Sequence, residues 1–150
     1  VMSTIHTNDS ISTITSLIDM GIEPFLVSAS LSSVLAQRLV RMLCIECSYW
    51  DDPTKAEIKI FADHGVAIDR IKRSVGCATC NNKGFKDRIG IFEVLYITDE
   101  IRRLISEDGS VSAITAEAKK NGMRFLIDDG LRKVKAGVTT LAEVLRVTDT

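Results

Sequence analysis

Apolar positions along the chain recur mostly at the three-to-four-residue spacing of amphipathic helices, interrupted by stretches that read as strand. After the capping side chains Thr7, Asn8 and Asp9, the run Ile11, Ile14, Leu17 and Ile18 predicts a first helix, which Gly21 can end in a left-handed conformation. Pro24 suits the first turn of a second helix, because its fixed φ is helical and its missing N–H is not needed there; residues 26–31 fill it. Asp52-Pro53 starts another helix carrying Ile58, Ile60 and Phe61, stopped by Gly65. His64 beside that stop reads as structural, at a helix end whose dipole favours a partly protonated ring. Thr98, with Asp99 and Glu100 in the first turn, opens a helix through Ile101, Leu104 and Ile105 that Asp108-Gly109 ends. Ser110 or Ser112 caps a run ending at Asn121-Gly122, the next helix closes at Gly137, and Thr140-Leu141-Ala142-Glu143 forms a capping box for the last one.

Residues 89–97 are apolar on both faces and rich in β-branched and aromatic side chains, the pattern of a buried central strand, with Glu93 its one exception. Residues 34–43 are ambiguous. Leu31, Leu35, Leu39 and Met42 or Leu43 fit helical spacing, whereas Val34, Leu35, Leu39 and Val40 also suit a strand; periodicity alone favours helix. Residues 1–6 read as the end of a strand running into a loop, so the chain is expected to be a piece of something longer.

Composition narrows the classes. With 45% hydrophobic and 26% charged residues, the 150-residue chain has apolar material for one sizeable core. A formal net charge of -1 argues against nucleic acid as a partner. No apolar run of about eighteen residues and no signal-peptide pattern occurs, so a soluble, cytosolic chain without a membrane span is expected.

The strongest chemical signal is the pair Cys44-x-x-Cys47 and Cys77-x-x-Cys80, separated by residues 48–76. A two-residue spacing lets one tight turn aim both thiolates at a single point, and two such turns supply the tetrahedral four-sulfur set that suits zinc. Iron on the same ligands, two disulfides, four reduced core thiols and a redox C-x-x-C are the alternatives. Gly76, Asn81, Asn82 and Gly84 flank the second pair with turn-forming residues. Four protein ligands leave no open position, so such a metal is structural. Tyr49 and Trp50 are expected to pack over the metal turns, and Lys72, Arg73, Lys83, Lys86 and Arg88 to form an ordinary solvated face.

The string Ser3-Thr4-Ile5-His6-Thr7-Asn8-Asp9 resembles the histidine box of the secretion ATPase superfamily. In order along the chain, 17–25, Leu35-Ala36-Gln37-Arg38-Leu39-Val40-Arg41, Gly76-Cys77-x-x-Cys80, Arg88-x-Gly90-Ile91, 129–134 and 143–147 resemble the family's successive blocks. The likeness covers nearly the whole chain and is closest to the ATPase of type II secretion, with the type IV pilus assembly ATPase a near second. It implies an α/β fold, α+β when this piece stands alone: the C-terminal part of a RecA-like ATPase domain with a tetracysteine insertion and a C-terminal helical bundle. The implied organisation is 1–43 as nucleotide-binding core, 44–87 as zinc-binding insertion, and 88–150 as return strand and helical subdomain. It further implies that 34–43 is a strand pairing with 88–96, against the helical count. Glu93 is then expected to pair with Arg38 or Arg41 across the hairpin.

By the same resemblance His6 lies near the terminal phosphate of a nucleotide, where imidazole can donate a hydrogen bond or position the attacking water. The implied whole protein is a homo-hexameric, cytoplasmic ATPase, peripheral to the bacterial inner membrane, using ATP and Mg with platform proteins as partners. No G-x-x-x-x-G-K-[ST] loop and no Walker B strand occurs in these residues, so the chain alone is expected to be inactive. A free-standing zinc-stabilised binding module and a zinc-ribbon nucleic-acid binder are the rival classes; the near-neutral charge disfavours the second.

Overall fold

Partners distant along the chain decide what the ambiguous residues 34–43 become. A computed structural model describes residues 1–107 and 109–149, and in it Ser33–Leu43 forms a strand, β1, hydrogen-bonded to the strand Phe85–Tyr96. Burial alternates along β1 in the period of a strand, so Leu35 and Leu39, which fitted helical spacing, point outward while Val40 is fully buried. The strand implied by resemblance is present, and the helix favoured by periodicity is not. A second ribbon pairs β2 (Ser48–Asp51) antiparallel with β3 (Ile71–Ser74), in the register Ser48↔Ser74 to Asp51↔Ile71. Phe85–Tyr96, now β4, departs from the expected central strand. It belongs to a two-stranded ribbon, with Ile91, Glu93 and Leu95 inward and Phe92 and Tyr96 outward. With these ribbons the chain is a mixed helix-and-sheet structure, consistent with the α/β class.

The chain divides into two compact units, residues 1–37 with 92–125, and residues 38–91 with 126–150. The first holds helices α1 (Ser10–Asp19) and α2 (Pro24–Ser30). Asp9 caps α1 by accepting the Ser12 N–H at 2.7 Å, Gly21 follows its end at φ +89°, and Pro24 opens α2, all as expected. Residues 1–7 adopt no regular secondary structure, so the strand expected there is absent: no neighbouring strand among the described residues supplies a ladder. Two later helices, Asp99–Glu107 and Val111–Lys120, complete this unit and are capped by the hydroxyls of Thr98 and Ser110. Asp108, expected to help end the first of these, lies outside the described residues. The core is aliphatic: Ile11, Ile14, Val27, Leu95, Ile97, Ile101, Ile105 and Ile114. Full burial of each such side chain stabilises by about 1.5–3 kcal/mol, the main force holding this unit together. Ser28 Oγ and Ser106 Oγ meet at 2.8 Å, and the Arg102 guanidinium donates to the Ser28 carbonyl.

The second unit contains the two C-x-x-C turns, the β2–β3 ribbon and helix α3 (Lys55–Asp63). That helix begins two residues later than Asp52-Pro53 implied, because Thr54 and Glu57 close a reciprocal capping box. Numbering Asp99–Glu107 and Val111–Lys120 as α4 and α5, the remaining helices are α6 (Leu126–Lys135) and α7 (Leu141–Thr148). His64 caps α3 at its C-terminus and sets Nδ1 3.0 Å from Asp128 Oδ1 on α6. Phe61, Ile71, Leu131, Val134 and Val144 are buried in this unit. One main-chain and one side-chain hydrogen bond tie the end of β1 to the α6–α7 connection: Leu43 N–H donates to Val138 O at 2.8 Å, and Thr139 Oγ1 to Arg41 O at 2.7 Å.

Candidate metal centre

The β2–β3 ribbon is what gathers the cysteines. Its last rung pairs Ser48 with Ser74, so Cys47 and the Gly76-Cys77 turn emerge at the same end, and Val75 N–H donates to Cys47 O at 3.3 Å. Cys44 leaves β1 with its N–H on Gly84 O at 2.9 Å, which pins the start of the excursion to its finish. The second turn passes from extended Cys77 through a 3-10 turn, Ala78–Cys80, into Asn81 and Asn82 at φ +52° and +60°. Gly76 stands at φ +90°, and a Cβ there would lie 2.8 Å from Asn82 O, so no side chain fits where the turn folds back.

Sulfur spacing discriminates among the alternatives. Cys44 and Cys77 Sγ are 3.8 Å apart, Cys47 and Cys80 3.9 Å, and Cys77 and Cys80 3.8 Å, with all four within 4.8 Å of one another. A tetrahedron with metal–sulfur bonds of about 2.3 Å has edges of about 3.8 Å, whereas a disulfide needs about 2.05 Å. The cysteines are free thiols at cation-sharing distance, and the set fits a soft divalent ion held by four sulfurs. Outer contacts fit the same charge. Cys80 Sγ accepts the N–H of Cys77 and the N–H of Gly84, each at 3.2 Å. Burial opposes ionisation of Cys80, yet these two N–H donors and the neighbouring Cys77 and Cys47 thiols hold it down at about 6. Burial pushes the Cys47 thiol up to about 11, aided by the adjacent thiols. A cation bound there would therefore displace protons as it binds.

Other expected residues fall elsewhere. His6 is exposed, in the segment that precedes α1, and belongs to the first unit, while the four cysteines belong to the second. Trp50, expected over the cysteine turns, has cationic and backbone neighbours. Arg70 lies over its indole at 4.2 Å, and its ring edge fills the space that a Cβ on Gly137 would need. Arg73, expected on a solvated face, forms ion pairs with Asp51 at 2.8 Å and Glu57 at 3.0 Å, stitching α3 to the ribbon. Arg41 takes Glu143 of α7 as its carboxylate. Glu143 thus completes only half of the expected capping box: Thr140 Oγ1 accepts its N–H, but its side chain is turned to Arg41 and Arg146. That clamp joins positions 102 apart and left no local signal in the sequence. Glu93 was visible as the one acid of an apolar strand; it accepts hydrogen bonds from Ser10.

Residues 1–146 match the family model described as type II/IV secretion system protein. The chain is 45% identical over 148 residues to type II secretion system protein E of Pseudomonas aeruginosa, covering 99% of this chain and 29% of that protein. It is 43% identical to the type II secretion system ATPase E of Vibrio cholerae, with 99% and 29% covered, and 43% identical to the type IV pilus assembly ATPase TfpB of Acinetobacter baylyi, with 98% and 26% covered. The chain thus spans under a third of the length of these curated relatives. On the strength of a match running almost end to end, the chain belongs to the type II/IV secretion system protein family.

Proposed function

We propose that the chain is the C-terminal part of a homo-hexameric ATPase motor that powers pseudopilus assembly in type II secretion, and that Cys44, Cys47, Cys77 and Cys80 hold a structural zinc ion. The observation that carries the reading is four sulfurs at tetrahedral spacing inside a chain aligned along 99% of its length with type II secretion proteins. Zinc is favoured over iron by its indifference to redox state and its preference for a closed tetrahedron. It supplies shape, tying the mouth of the excursion, while the thiolates carry the charge it neutralises.

In this reading residues 1–43 complete a RecA-like nucleotide-binding core, 44–87 form the zinc-bound insertion, and 88–150 supply the return strand and helical subdomain. His6 stands beside the terminal phosphate of an ATP whose Mg and phosphate loop come from outside these residues. The motor works in the cytoplasm against the inner membrane, with platform proteins as partners and no nucleic acid. Among the described residues no helix is long and apolar enough to cross a membrane. The 43% identity to a type IV pilus assembly ATPase favours pilus extension as the second reading.

The test replaces Cys44 and Cys77 by serine in the full-length protein within its own bacterium. Equimolar zinc in the purified wild type, and secreted proteins stranded in the periplasm of the variant, are the expected results. Loss of surface pili with secretion intact would move the assignment to the second reading. An unchanged phenotype in both would leave only a zinc-stabilised binding module, and a protein free of metal would reject the zinc.

A further inference from the structure

Ser10 opens α1 and is wholly buried. Its backbone N–H and its hydroxyl both donate to one oxygen, Glu93 Oε1, each at 2.7 Å. Glu93 lies on β4 and is only 3% exposed. Two short hydrogen bonds and the positive end of a helix thus meet a carboxylate taken out of water. The helix did not need it as a cap, because Asp9 already accepts the Ser12 N–H at 2.7 Å. Two acids therefore serve one helix end, and the second joins that end to a strand 83 positions away.

Around this joint the backbone is held by its own side chains. Thr7 Oγ1 meets Thr13 Oγ1 at 2.8 Å and donates to Asp9 O at 3.2 Å, and Thr13 Oγ1 donates to the same carbonyl at 3.2 Å. Residues 7–13 are thus hydrogen-bonded to one another and riveted to β4 at Ser10. His6 is the next residue outward, immediately before Thr7 and exposed.

We propose that Glu93 is a positioning residue for His6: by fixing the first turn of α1 to β4 it presents the imidazole in one place. The inference rests on the reading of His6 as the phosphate-side histidine of an ATPase motor. A group that donates to a phosphate or orients water works only within a narrow geometry, and a displacement of about 1 Å costs about a hundredfold in rate. Without the Glu93 anchor, Thr7 and Asp9 still order the turn internally, but nothing in this hydrogen-bond set holds it to the strand.

The experiment measures kcat and KM for ATP in the full-length ATPase carrying His6→Ala, Glu93→Gln and both together. His6→Ala is expected to lower kcat about a hundredfold, the usual worth of a proton-handling or water-orienting side chain. Glu93→Gln is expected to lower kcat about tenfold in the wild-type background with KM nearly unchanged, and less than about twofold when His6 is already alanine, because the two act as one unit. Ser10→Ala keeps the buried carboxylate and the Ser10 N–H that donates to it, so it folds more readily; its expected loss is smaller and likewise disappears without His6. An equal fold-loss from Glu93→Gln and Ser10→Ala in both backgrounds would overturn the inference while leaving His6 in its role. So would full kcat in both variants beside an impaired His6→Ala. A His6→Ala enzyme with unchanged kcat would overturn the histidine reading itself, a result visible from that single variant.

Discussion

Arg41 holds Glu143 twice: its backbone N–H donates to Oε2 at 2.9 Å and its guanidinium Nη2 to Oε1 at 2.7 Å. Arg146, one turn along α7, adds Nε to Oε1 at 3.2 Å and Nη2 to Oε2 at 2.9 Å. The carboxylate is 3% exposed, and the Arg41 guanidinium also lies over the Phe85 ring at 4.3 Å. A buried charge with four donors is compensated, and removing it leaves two guanidinium groups facing each other.

Glu143→Gln is accordingly expected to destabilise the fold. Burial opposes ionisation of Glu143, but the hydrogen bonds from Arg41 and Arg146 outweigh it and hold the carboxyl at about 2, against an ordinary 4.5. That difference corresponds to about 3 kcal/mol. Because the folded-state value is depressed, the contribution is complete above about pH 4.5 and is lost as pH falls toward 2. Urea titrations across that window should show a pH-dependent gap between wild type and variant, wide above pH 4.5 and closing below it; parallel curves would refute the clamp.

Chelation is expected to act on one part of the chain. A structural zinc contributes on the order of 10 kcal/mol to the module it closes, and the segment between the cysteine pairs buries few large apolar side chains, Phe61 and Ile71 among them. Amide resonances of residues 45–76 should broaden or collapse when metal is stripped, while Ile14, Ile101 and Ile114 keep native shifts, since their core contains none of the ligands. Uniform persistence of all resonances would argue against any metal.

Gly130 on α6 faces Val144 on α7, and a Cβ at position 130 would lie 2.4 Å from Val144 Cγ1. Gly130→Ala should therefore lower stability by about 1–3 kcal/mol, although alanine is the better helix former. Adding Val144→Ala removes the colliding methyls, so the double variant is expected to be more stable than the sum of the two single losses; simple additivity in denaturation would show the contact to be slack.

Trp50 gives a test of what lies over the cysteines. Its ring meets Arg70, Lys72 and the Gly137 backbone. Trp50→Ala should cost about 1–3 kcal/mol in thermal stability yet retain metal at the wild-type ratio. Metal loss in the folded variant, measured by elemental analysis, would return the indole to the metal turns.

Local chemistry was readable wherever a few adjacent residues settle the outcome. Asp9, Ser110 and Thr140 cap helices because a side-chain oxygen needs only an N–H two or three positions on, and Pro24 starts one because its φ is already helical. The gathering of the four cysteines was legible in the spacing of the two C-x-x-C turns, since a turn that short aims both sulfurs together. What needed the fold was everything whose partner is remote. Residues 34–43 become a strand because β4 supplies a ladder, residues 1–7 do not because none among the described residues is offered, and Glu143 abandons its local box for Arg41. A pattern of side chains states which conformations are cheap for a segment; only tertiary contact states which hydrogen-bonding groups and charges will be present to choose among them.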